Sequence, residues 1–214
     1  MIAGVPDIQG RLQGSRLSVP YFLEEAARQG FGACVYLLAS DVEMGTGPGY
    51  AIDAWNSGFG DFVLRPDPAT LRTLPWDPGT ALVLADAVWP GGGPVDVAPR
   101  RVLRAQLDRL AERGLTAFAG LAMETARGEC HAGQYEIVFR YDEAMTTCGN
   151  HVFFKNGAKQ IAAQEGVALT FMPRFDEGEG NSCHIHLSLR GTDGSAAFET
   201  AVTDWERTHG FERL

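Results

Sequence analysis

CHIHLSLR, residues 183–190, decides how the second half of this chain is read. Alternation along a strand puts His184, His186 and Ser188 on one face and Ile185, Leu187 and Leu189 on the other, so three polar groups project together. Imidazole nitrogen is a common metal ligand. A strand with one wet face gives the same alternation, and the segment alone leaves both readings open.

Moving outward, GECHAGQYEIVFRY at 128–141 carries the next cluster of chemistry. Gly128 and Gly133 permit sharp turns around Glu129, and the strand QYEIVF faces Gln134, Glu136 and Val138 one way. Seven residues separate Glu129 from Glu136, an odd spacing that puts them on opposite faces of an unbroken strand. Only a turn at Ala132-Gly133 brings both carboxylates to one metal; two solvated glutamates beside a hairpin are the plain alternative. Between these segments a helix is expected over about 142–165, ending at Gly166, with Gly149 and Gly157 weakening its continuity. VALTFMP at 167–173 reads as a further strand.

Earlier in the chain, RRVLRAQLDRLAER at 100–113 sets Val102, Leu103, Leu107, Leu110 and Ala111 on one helical face, with Gly114 as the stop. GGGPVDVAP at 91–99 has the composition of a boundary. The first 95 residues read as strands and turns around one helix, which Ser18 caps and Gly30 ends, with Phe22, Leu23, Ala26 and Ala27 on its apolar side. FGACVYLLAS at 31–40, FVLRPD and TALVLADAVW are strand candidates. GTGPGY at 45–50 has no following GK[ST] or helix start, and so reads as a turn-forming loop. FDEGEGN at 175–181 lacks the twelfth-position glutamate of a calcium loop, because residue 187 is leucine.

A chain of 214 residues with 45% hydrophobic and 21% charged content is ordinary globular protein. Its net charge of −9, with no basic run, excludes the electrostatic footprint of a nucleic-acid or anionic-membrane binder. The best apolar run, ALVLADAVW at 81–89, is far short of the roughly 20 residues of a membrane helix and contains Asp86. The start has no signal-peptide pattern, and Cys34, Cys130, Cys148 and Cys183 form no CxxC pair. Both features fit a cytoplasmic protein with reduced thiols.

Five blocks, DIQGRLQGSR at 7–16, DFVLRPDPATLRTLPWDPGTALVLAD at 61–86, APRRVL at 98–103, GECHAGQYEI at 128–137 and ALTFMPRFDEGEGNSCHIHLSL at 168–189, resemble the glutamine synthetases in their order. The likeness is greatest to the glutamine-synthetase-like and γ-glutamylpolyamine synthetase branch. It implies an α+β fold: a β-grasp-like N-terminal domain at 1–95, a partial catalytic domain at 96–195 with a curved antiparallel sheet and helices, and a divergent tail at 196–214. It implies ATP and Mg²⁺ or Mn²⁺ as cofactors, with glutamate and ammonia or an amine as substrates. By position, Glu129 and Glu136 resemble ligands of one metal and His184 a ligand of the other. His186 and Ser188 resemble groups near the nucleotide phosphates, Tyr141 one near adenosine, and Gly180 one touching glutamate. No catalytic residue is designated. A homo-oligomer is also implied, because family active sites form between subunits.

Two departures stand out. Where the family carries a Glu-x-Glu-Phe strand and a long excursion, LAMETAR at 121–127 leads straight to Gly128. After residue 195 the likeness stops. Together they lead to the expectation of an internally deleted, shortened ligase of impaired turnover. The alternative is a non-catalytic paralogue that docks onto a full-length relative.

Overall fold

The computed structural model describes residues 1–46, 48–50, 52, 60–129, 131–175, 177–178 and 180–198, without the side chains of 121–125. Its strands are β1 (Ile2–Pro6), β2 (Leu12–Arg16), β3 (Phe31–Cys34), β4 (Asp61–Pro66), β5 (Arg72–Thr73), β6 (Ala81–Val88), β7 (Leu115–Gly128), β8 (Tyr135–Glu143) and β9 (His186–Gly191). The chain divides into two units. One comprises Met1–Arg104 with Gly149–Ala168; the other comprises Ala105–Cys148 with Leu169–Leu214.

In the first unit the sheet runs β2-β1-β6-β4-β3, with β5 also on β6; β1 and β6 are parallel and the other pairs antiparallel. This is the β-grasp-like mixed sheet expected for the N-terminal region. The near-continuous apolar run of β6 follows from burial on both faces. Val83, Ala85 and Ala87 join Ala3, Val5, Phe62, Leu64, Phe22 and Ala26 in one core, while Leu82 and Leu84 join Leu74 and Val152 in another. Asp7, 2% exposed, ties the β1–β2 turn by accepting from the backbone N–H groups of Gln9 and Arg11 and from Arg11 Nε at 2.6 Å.

The expected N-terminal helix is present over residues 19–29 as α, π and α turns, with Ser18 Oγ accepting from Tyr21 N and Gly30 at φ 80°. Its inward face is Phe22 and Ala26; Leu23 is exposed. The strand expected over 31–40 stops at Cys34, and Val35–Leu38 form a 3₁₀ turn that buries Val35 and Leu38. That outcome has a simple cause: apolar residues three apart share a face in a 3₁₀ helix.

The helix Ala144–Gln164 is unbroken at both glycines. They are contact points, not breaks. A Cβ on Gly157 would lie 2.7 Å from ring carbons of Trp76, and one on Gly149 would touch Leu84. Trp76 Nε1 donates to Gln160 Oε1 at 2.8 Å, and Gln164 Nε2 donates to the Trp76 carbonyl at 3.0 Å.

In the second unit the antiparallel sheet runs β8-β7-β9. Ala117, Ala119 and Ala144 form its buried cluster, lined by Leu107, Leu110 and Leu189 of partial exposure. The helix Pro99–Ala111 ends before Gly114 at φ 70°, but Val102 is exposed, so the apolar face is narrower than expected. Residues 167–173 make no strand.

Candidate functional site

The geometry of the site comes from one hairpin. Gly133 at φ 77° lets the chain reverse, Gln134 N donates to the His131 carbonyl, and Glu129 N donates to the Gln134 carbonyl at 3.0 Å. Arg127 then lies opposite Glu136 and Gly128 opposite Tyr135. Cross-strand partners share a face, as do residues two apart on one strand. Arg127, Glu129, Gln134 and Glu136 therefore project together. The odd spacing of the two glutamates is resolved by the turn.

What the two carboxylates meet is an arginine. Arg127 Nε lies 3.1 Å from Glu129 Oε1, and Arg127 Nη2 lies 2.5 Å from Glu136 Oε2, with both carboxylates about one-third exposed at 31% and 33%. Attraction by Glu136, then the bond to Glu129, holds the guanidinium pKa above its ordinary value. Among the described residues no three His, Cys, Asp or Glu side chains come together as a group able to hold a metal ion. The donor types suit Mg²⁺ or Mn²⁺. Their arrangement does not, because the space between the carboxylates is taken by the guanidinium.

Gln134 extends the cluster. Its Nε2 donates at 2.9 Å to the Gly180 carbonyl and at 2.9 Å to Asn181 Oδ1, so Gly180 stands beside the hairpin. Asn181 in turn donates through its backbone N to the Pro173 carbonyl at 2.6 Å and through Nδ2 to the Met172 carbonyl at 2.7 Å, closing the 172–181 loop. The His131 ring meets Phe175 edge to face at 6.2 Å.

A second cluster crosses β7 where it has no side chain. Gly120 leaves Tyr141 of β8 free to reach over to β9, and Tyr141 Oη shares a 2.7 Å hydrogen bond with Ser188 Oγ. That bond, with help from Arg190, lowers the phenol's pKa. Phe118 stacks on Tyr141 at 5.3 Å, and the Arg190 guanidinium lies 5.6 Å from the Phe118 ring. Tyr141 is five residues along β8 from Glu136, roughly 17 Å at strand rise.

His186 opens β9 opposite Gly120. His184 precedes the strand and is exposed, so the shared strand face expected for His184, His186 and Ser188 holds only for the last two. The ladder ends there for a reason. Beyond Gly120, β7 enters an irregular stretch in which Leu121 pairs with Phe139 and Ala126 with Ile137. The sequence alone points to neither Arg127 nor Asn181, and it gives Gln134 only as a neighbour of Glu136 on one strand face. The signals were the two-residue offset of Arg127 from Glu129 and the shared parity of Gln134 and Glu136.

Residues 118–209 match the family model of the glutamine synthetase catalytic domain. The chain is 44% identical to the gamma-glutamylethanolamide synthetase GlnA4 of Streptomyces coelicolor, over 92% of this chain and 55% of that protein. It is 28% identical to a glutamate–isopropylamine ligase of a Pseudomonas species, over 91% of this chain and 55% of that protein. Among solved structures, the GmaS/ADP complex superposes with a TM-score of 0.77 at 22% identity, over 92% of this chain and 54% of that one. The chain thus spans about half the length of the curated relatives it matches. The alignment with the Streptomyces protein runs over 253 positions, more than the 214 residues here, so that relative carries residues inside the aligned span that this chain lacks.

Proposed function

The chain belongs to the glutamine synthetase family, and from that premise we propose that it is a glutamate–amine ligase by descent whose own turnover is slow. The observation that carries the reading is the 44% identity to a γ-glutamylethanolamide synthetase across 92% of the chain. Ethanolamine is accordingly the first acceptor to try, with ammonia and other small primary amines beside it. Polyamines belong in the same panel.

In the reaction proposed, an oxygen of glutamate's side-chain carboxylate attacks the γ-phosphorus of ATP, and ADP leaves with the electrons of the broken P–O bond. The amine nitrogen then bonds to the acyl carbon, inorganic phosphate departs, and the nitrogen gives up a proton. Within this reading Tyr141, His186 and Ser188 lie along the nucleotide, Gly180 touches glutamate, and Glu129, Glu136 and His184 descend from metal ligands. Arg190 and the Phe118–Tyr141 stack offer a cation and an aromatic surface for a nucleotide. A homo-oligomer and a cytoplasmic location are part of the proposal; among the described residues no helix is long and apolar enough to cross a membrane. The non-catalytic, docking alternative is not favoured by relatives that are named as ligases.

Slow turnover follows from electrostatics. A single charge-stabilising cation contributes on the order of 10³–10⁵ in rate to phosphoryl transfer, and in this reading the carboxylates that would hold such a cation are engaged with Arg127. The test is isotopic. Glutamate labelled with ¹⁸O in its side-chain carboxylate, incubated with ATP, Mg²⁺ and ethanolamine, should pass one ¹⁸O into the released phosphate. ADP formation indifferent to glutamate, with unlabelled phosphate, would sink the ligase reading.

A further inference from the structure

We infer that Arg127 is a built-in cation that stands where a divalent metal would sit, so that the Glu129–Glu136 pair excludes Mg²⁺ and Mn²⁺ in the native chain. Three observations carry this. First, the guanidinium contacts both carboxylates at once, at 3.1 Å and 2.5 Å, the bridging role that a hard cation plays between two carboxylate ligands. Second, the placement is fixed by the backbone. Arg127 pairs directly with Glu136 across the hairpin and precedes Glu129 by two residues, so all three side chains leave one face without any rearrangement.

Third, Arg127 comes from LAMETAR, the stretch that replaces the longer excursion of the family pattern. In the structure this stretch carries a register slip: between the Leu121–Phe139 and Ala126–Ile137 pairs, four residues of β7 face one of β8. The strand regains its pairing just in time to set Arg127 beside Glu136. Two glutamates left together on one face would repel each other, and the shortened connection supplies the positive charge that removes the repulsion.

The consequence is chemical. A fixed guanidinium neutralises the carboxylates as a metal would, but its donors are already directed at them and it offers no open coordination position to a phosphate oxygen. The site is a closed salt-bridge clamp in place of a Lewis acid. This inference rests on the family reading only for what Arg127 replaces, and its test reads metal binding alone, so its failure and that of the ligase reading are distinguishable.

The full chain is titrated with Mn²⁺, free ion being followed by its electron paramagnetic resonance signal. Arg127→Ala should bind one Mn²⁺ at least about tenfold more tightly than the native chain, and the gain should vanish in Arg127→Ala/Glu129→Gln/Glu136→Gln. Because Arg127 is 66% exposed, the substitution removes little packing. Equal affinity in the native chain and Arg127→Ala overturns the proposal. A second measurement needs no variant: crystals of the native chain grown with Mn²⁺ should show no anomalous peak between Glu129 and Glu136. A peak there contradicts the clamp.

Discussion

The two units solve the burial problem differently. The first encloses large side chains completely: Phe62 and Leu64 are 0% exposed and Leu82 is 1% exposed. The second encloses three alanines, and among its described residues Tyr135, Ile185, Leu187, Met172 and Phe175 are exposed. Apolar burial contributes roughly 25 cal/mol per Å², so the described core of the first unit stabilises far more than that of the second. The lesson is a division of labour. The first unit is held chiefly by its apolar core, whereas the described part of the second is held chiefly by strand pairing and the hydrogen bonds of Gln134 and Asn181.

The sharpest way to break this comparison is a matched pair of truncations. Leu64→Ala in the first unit should lose about 4 kcal/mol in urea unfolding, because a fully buried leucine leaves a cavity. Leu189→Ala in the second, where Leu189 is only partly buried, should lose under about 1.5 kcal/mol. Equal losses would abolish the distinction.

A smaller effect is expected at Gly157. An added methyl meets Trp76 at 2.7 Å, which costs about 1–3 kcal/mol, while alanine's better helix propensity returns about 1 kcal/mol. Gly157→Ala should therefore lower the urea midpoint modestly, whereas a rise would mean that Trp76 yields freely.

The smallest effect is a pH dependence in the first unit. Burial, and then the Lys155 charge, hold the His151 pKa below its ordinary value. The unfolded chain takes up this proton near pH 6.5, before the folded chain does. His151 thus opposes unfolding fully above pH 6.5, and stability falls as the pH drops from there toward the folded value, by at most about 1.4 kcal/mol per pH unit. In His151→Gln, urea midpoints measured from pH 7.5 to 5.5 should fall less steeply than in the native chain. An identical slope would remove His151 from the account.

Much of the fold was legible because it depends on local chemistry. The stops at Gly30, Gly114 and Gly166 are positive-φ glycines, and Ser18 caps as its residue type dictates. VALTFMP was misread because an apolar run becomes a strand only if an edge pairs with it. The chain here is a loop instead, with Val167 and Met172 exposed and Asn181 bonded to the Met172 and Pro173 carbonyls. In the site, the turn between Glu129 and Glu136 was legible from Gly133. The arginine between them was not, because its place depends on the β7–β8 register, and that register slips within 121–126. The place of His184 was not legible for the same reason: it precedes β9, whose ladder with β7 ends at the Gly120–His186 pair, where β7 becomes irregular. Of the divergent tail expected at 196–214, residues 199–214 lie outside the described residues, as does Cys130.

The central claim, a ligase fold whose carboxylates serve an arginine, is tested most directly by the rate of glutamate-dependent ADP release with ethanolamine and Mg²⁺. The GlnA4 protein of Streptomyces coelicolor is assayed alongside. The account predicts release that requires glutamate and runs on the order of 10³-fold or more below that relative. A rate equal to the relative's, or one that ignores glutamate, would contradict it.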